Sequence, residues 1–216
     1  PESAARCYLD ALRERPGDRR ILVKLVQLYG EEKDWTRLLE VVTELAESTT
    51  DATQRSRYLL TAARVALHEL SDPDRARQLL DRVEVAGDAP ATMVEEAILL
   101  LRGLEDAAGL QRVYETQIQA AAEARDRDRG LRFADLLADL HLSQLQVEEA
   151  IGVYEAAQQM DPYNPQRQET LGELYASDPA RYLARAVRTQ EQILGQDPYR
   201  PEPYRLLYHL YSQVHD

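Results

Sequence analysis

Four residues at fixed offsets return along this chain: a small one, a large apolar one four on, a small or aliphatic one three later, and a proline five beyond. Ala4, Tyr8, Ala11 and Pro16 carry the set first, and Ala150, Tyr154, Ala157 and Pro162 repeat it. Ala186, Gln190, Ile193 and Pro198 follow with one polar replacement. Offsets of four and three place side chains on one helical face, and the proline marks where that helix has stopped. A unit that recurs with a period in the mid-thirties predicts stacked helical hairpins, each burying its apolar face against its neighbours.

A second pattern alternates with the first. Leu22, Leu25, Val26 and Tyr29 show it, as do Val94, Ala97, Ile98 and Leu101, then Ala134, Leu137, Ala138 and His141. Leu60, Ala63 and Leu67 fit in part, Leu171-Gly172 with Tyr175 is the sharpest copy, and Tyr204, Leu207, Tyr208 and Tyr211 close the series. The small residue admits a partner helix while the large ones fill the groove between helices. Glycine and proline gather at the joints and strand-like alternation is missing. The spacing predicts twelve helices, over 2–15, 19–31, 34–47, 51–70, 73–86, 90–102, 105–125, 128–143, 147–160, 164–176, 178–195 and 201–215. Asp34 and Asp72 stand where a carboxylate caps the opening amides of a helix. Pro73 and Pro179 stand at first helical positions.

These alternating patterns resemble the tetratricopeptide repeat (TPR) family over the whole chain. Units fall at 19–52, 57–90, 91–124, 131–164 and 165–200, with half repeats at 1–18 and 201–216, giving one domain. The resemblance implies an all-α, right-handed superhelical solenoid of about five hairpins with a concave face lined by the first helix of each pair. Leu38, Leu110 and Arg64 depart from the family pattern, and insertions near 53–56 and 125–130 break the strict period. Because the first and last helices carry motif residues, a fragment of a longer repeat chain is expected, or ends that pack on another copy.

Composition narrows the function. The formal net charge of −12 suits basic partners and not phosphate backbones. Arg125, Arg127 and Arg129 alternate with aspartates and form no nucleic-acid patch. No apolar run reaches membrane-spanning length. The single Cys7 excludes an internal disulfide and a cysteine-built metal site, and it is expected to be a small buried thiol. Only Lys24 and Lys33 among the 26 basic residues are lysines, an arginine bias attributed to genome composition with a bacterial leaning. His68, His141, His209 and His215 show no metal spacing, and no glycine-rich phosphate cradle appears. No catalytic residue, cofactor or metal is expected. His141 reads as a packed core residue, and so do Tyr8, Tyr29, Tyr114, Tyr154, Tyr175, Tyr204 and Tyr211. Compartment is left open, with the cytoplasm as the default.

What remains is the first-helix face. In the TPR family the residues one and five places after the first motif residue point into the groove. By that rule Glu95, Asp135, Asp139, Glu169 and Glu173 form a run of acids across three units, followed by Arg205 and His209. Tyr58 is an aromatic left over from the repeat pattern. Carboxylates on exposed helix faces are also simply solvated, and that reading stands beside a groove for a peptide bearing Arg or Lys. No groove position carries the Lys and Asn with which some family members clamp a chaperone's terminal carboxylate. The expected function is a non-enzymatic protein-interaction scaffold. The alternatives are a regulatory or targeting array of a larger enzyme or signalling protein, and an array that self-associates through its end helices.

Overall fold

The computed structural model describes residues 2–14 and 18–214, so Pro16 and His215 lie outside it. Among the described residues there are twelve α-helices and no strand. They are α1 (Glu2–Glu14), α2 (Arg19–Glu32), α3 (Trp35–Ser48), α4 (Ala52–Arg64), α5 (Pro73–Leu80) and α6 (Ala91–Gly103). There follow α7 (Ala107–Ala124), α8 (Arg127–Ser143), α9 (Val147–Met160), α10 (Pro165–Ser177), α11 (Pro179–Gln196) and α12 (Pro201–Val214). Boundaries fall within two residues of those the spacing predicts, except at α4 and α5. The last turn of α4 widens into a π-helical turn, Val65–Glu69.

Helix α5 ends at Leu80, six residues short of the predicted 86. The amides of Arg82 and Val83 reach back only three residues, to Leu79 and Leu80, tightening the last turn until it closes. Beyond it the chain is held elsewhere. Ser56 Oγ, fully buried, donates to the Glu84 carbonyl at 3.1 Å and accepts from the Glu84 N–H at 3.1 Å. One hydroxyl satisfies both backbone groups.

The turns inside the hairpins share one device. Lys33, Ser71, Glu105 and Leu145 all have positive φ, and each is followed by a residue whose amide closes the preceding helix. Asp34, Asp106 and Gln146 donate to the carbonyls of Tyr29, Leu101 and His141 at 2.9–3.0 Å. Asp34, Asp72 and Asp106 then turn their carboxylates onto the opening amides of the next helix, at 3.2, 2.9 and 2.9 Å. A left-handed backbone costs a side-chain-bearing residue about 1–2 kcal/mol, and Leu145 is 87% exposed, so packing returns nothing there. Leu145→Gly should therefore raise stability by about 0.5–1 kcal/mol after glycine's own entropy, visible as a higher urea midpoint.

Contacts divide the chain into two compact units, Pro1–Thr116 and Gln117–Asp216, with α7 running through the boundary. In the first, α2 packs on α3, α3 on α4, and α4 on α5 and α6. Its buried side chains include Leu22, Leu25, Tyr29, Leu45, Leu59 and Leu60. In the second, α8 packs on α9, α9 on α10, α10 on α11 and α11 on α12. Ala138, Ile151, Tyr154, Leu171, Tyr175 and Ala186 form its core with Leu210. A Cβ on Gly172 would collide with the amide end of the Gln190 side chain, which occupies the space that glycine leaves open.

Three expectations on packing need correction. Cys7 is exposed, because no described helix covers that side of α1. Tyr204 and Tyr211 are 53% and 47% exposed, since α11 covers only one side of α12. Tyr29, Tyr114, Tyr154 and Tyr175 are buried, as is His141, whose Nδ1 lies 2.7 Å from Gln146 Oε1.

Candidate functional site

Six of the eight sequence-predicted site residues belong to the C-terminal unit: Asp135 and Asp139 on α8, Glu169 and Glu173 on α10, Arg205 and His209 on α12. Tyr58 on α4 and Glu95 on α6 belong to the other, where Tyr58 is half-buried and Glu95 exposed. The structure brings Asp135 and Asp139 to one cleft of about 150 Å³, together with Tyr154, Asn164, Arg167 and Thr170.

The carboxylates of the run are not equivalent. Asp135 takes a two-pronged bond from Arg167, Nε to Oδ1 at 3.0 Å and Nη2 to Oδ2 at 2.9 Å. The Arg167 side chain is only 2% exposed, and Asp161 stands 3.6 Å away on its other flank. Glu169 accepts a single bond from Nη1 of Arg200, whose side chain is partly exposed. That contact raises the guanidinium's pKa. The acids one place after the first motif residue are thus spent on the next repeat. The acids five places after it have no ion-pair partner among the described residues. Asp139 accepts only the neutral Tyr154 hydroxyl, at 2.5 Å. Glu173 is exposed and has no partner among the described residues.

Sequence reasoning missed Arg167 and Arg200. The signal was an arginine 32 residues after Asp135 and 31 after Glu169. It was lost among many arginines. Separations of 31–33 residues recur elsewhere, in Arg112 with Asp81 in the first unit and Arg181 with Glu148 in the second, and with the arginine first in Arg64 with Glu96. Arginine is therefore structural here as well as compositional: its planar fork staples one repeat to the next.

Burial first, and then the Asp139 hydrogen bond, push the Tyr154 phenol far above its ordinary pKa of 10.0. Tyr175, buried and bonded to Glu155 at 2.6 Å, moves the same way. A raised folded-state pKa contributes stability that is complete below the unfolded value and is lost as pH climbs toward the folded one. Urea midpoints should accordingly hold steady to about pH 10 and fall above it. The fall should be shallower in Tyr154→Phe.

Among the described residues no group of three His, Cys, Asp or Glu side chains could hold a metal ion. No helix among them is long and apolar enough to cross a membrane. Each full hairpin of the C-terminal unit buries the residues the repeat pattern demands: Ala150, Tyr154 and Ala157 of α9 beside Leu137 and Ala138 of α8, and Leu171, Gly172 and Tyr175 of α10 beside Ala186 of α11.

The repeat is TPR-like. No protein-family model and no curated protein matches the chain. Among solved structures it is similar to YrrB, described as a TPR protein with an unusual peptide-binding site (16% identity, 96% of this chain and 99% of that one, TM-score 0.43). It is also similar to BtubC from P. vanneervenii (16% identity, 93% and 92%, TM-score 0.43). A third is a tetratricopeptide repeat protein from Parabacteroides merdae (15% identity, 97% and 77%, TM-score 0.38).

Proposed function

We propose that this TPR-like array is a non-enzymatic scaffold that binds a peptide or protein segment along the first-helix face of its C-terminal unit. The segment carries Arg or Lys. The observation behind this reading is the pair Asp139 and Glu173: two carboxylates at equivalent positions of successive repeats, neither paired with a cation among the described residues. Their neighbours Asp135 and Glu169 are already committed to arginine, so a basic ligand gains little from them. Two partly exposed charge pairs are worth about 1–2 kcal/mol together, or roughly tenfold in affinity.

Asp139→Lys with Glu173→Lys should weaken binding of a blocked hexapeptide carrying two arginines by about tenfold and flatten its salt dependence. The same titration against the Glu95→Lys variant serves as control. Equal affinity of the wild type and the double variant would end the proposal.

A second reading rests on α12, where Tyr204, Tyr208 and Tyr211 are 53%, 79% and 47% exposed along one helical stripe. A second copy of the chain could cover that stripe. Sedimentation should then show a concentration-dependent dimer that Tyr208→Ser with Tyr211→Ser abolishes, and a strictly monomeric wild type would rule it out.

A further inference from the structure

The early end of α5 leaves a cleft of about 420 Å³ in the N-terminal unit. In the α8–α9 hairpin the second helix runs 14 residues and its Ala157 is wholly buried. Helix α5 runs eight, and Val83, seven residues after Ala76 as Ala157 is after Ala150, lies beyond its end and only half-buried. The missing turns would have filled the space. Leu80, Val83, Ala97, Leu101 and Val113 make its walls, with Thr116 on the rim. The charges at the cleft are paired within the unit, Arg112 with Asp81 at 3.2 Å and Glu84 with Arg55 at 3.4 Å.

The backbone beside this cleft has a directional character. Ser56 Oγ binds both the N–H and the C=O of Glu84, so these two groups point the same way, as they do for one residue of an extended strand. In such a segment the next residue presents its own N–H and C=O to the opposite side. Val85 is that residue, and neither its amide nor its carbonyl has a partner among the described residues. A donor and an acceptor, side by side and unpaired, form the hydrogen-bonding edge to which an extended peptide adds itself.

We propose that the Val83–Ala86 edge and the adjoining cleft bind an extended, uncharged segment of a partner protein. The segment pairs its backbone with Val85 and buries one large apolar side chain against Leu80, Leu101 and Val113. A polypeptide fits better than a small apolar molecule, because a peptide backbone offers the matching donor and acceptor together and an apolar molecule offers neither. The site is independent of the acidic face: it lies in the other unit and uses no carboxylate. Failure of one leaves the other standing.

The test uses the full chain and a panel of blocked pentapeptides, Thr-Val-X-Val-Thr with X as Leu, Ile, Met, Phe or Trp, followed by amide chemical shifts. At least one member should bind saturably with its largest shifts between residues 80 and 116. N-methylation at X should cost at least tenfold. Thr116→Trp, which roofs the cleft from an exposed position, and Val85→Pro, which removes the N–H, should each abolish binding while circular dichroism and melting stay native. Asp139→Lys with Glu173→Lys should leave it unchanged. The proposal is overturned if no panel member saturates, if the shifts centre elsewhere, or if N-methylation changes nothing, the last identifying a pocket for small apolar molecules.

Discussion

Tyr154→Ala is expected to destabilise the C-terminal unit by about 3–5 kcal/mol. The side chain is 5% exposed and belongs to the core cluster with Leu171, Tyr175 and Leu210. Truncation removes the ring's contacts and leaves a hole that the neighbouring helices cannot close without moving apart. It also strands Asp139, whose carboxylate loses the hydrogen bond it receives from α9. Tyr154→Phe isolates that second effect. Because Asp139 is exposed and water can replace the hydroxyl, its cost should be about 1 kcal/mol. Chemical denaturation of the three proteins gives both numbers, and a phenylalanine variant as unstable as the alanine one would show that the hydroxyl, and not the ring, carries the contribution.

Removing Asp135 should cost about 2–4 kcal/mol, and more than removing either partner of an exposed ion pair such as Arg82 with Glu47. The reason is the position of its partner. The Arg167 guanidinium is sealed from water, and with Asp135→Ala it retains only Asp161, at 3.6 Å to the carboxylate and 3.4 Å to the carbonyl. A buried charge with one distant counterion is costly. Arg167→Met should be much milder, because Asp135 is 40% exposed and rehydrates while the methionine occupies the volume of the arginine stem. The asymmetry is the test: two variants of one ion pair, compared by urea midpoint, should differ by more than 1 kcal/mol. Equal losses would mean that Arg167 is wetter than its surroundings indicate.

Most of the fold was legible because it rests on local signals. Small and large residues at helical spacing, aspartates before helices and prolines at their first positions all act within a turn or two. The places where legibility failed have a common cause. Val83 follows Leu79 and Leu80 at helical spacing, yet the chain has left α5 by then and Glu84 is held by Ser56, 28 residues earlier. Arg167 sits in the first turn of α10, where an arginine ordinarily faces water, and is buried only because α8 offers Asp135. Cys7, Tyr204 and Tyr211 occupy motif positions, and a motif states which face a residue is on without stating whether anything covers it. In the candidate site the same limit applied: the run of acids was visible, and the division into paired and unpaired members was not.

The arginine pairs between successive hairpins bear on how such an array melts. In a one-dimensional stack, the sharpness of unfolding depends on the coupling across each junction relative to the stability of the hairpin itself. Here part of that coupling is ionic and open to solvent, whereas the hairpin interiors are held by apolar side chains. Added electrolyte screens the former and spares the latter. Ionic strength thus becomes a dial on cooperativity: transitions should broaden in concentrated sodium chloride before their midpoints shift.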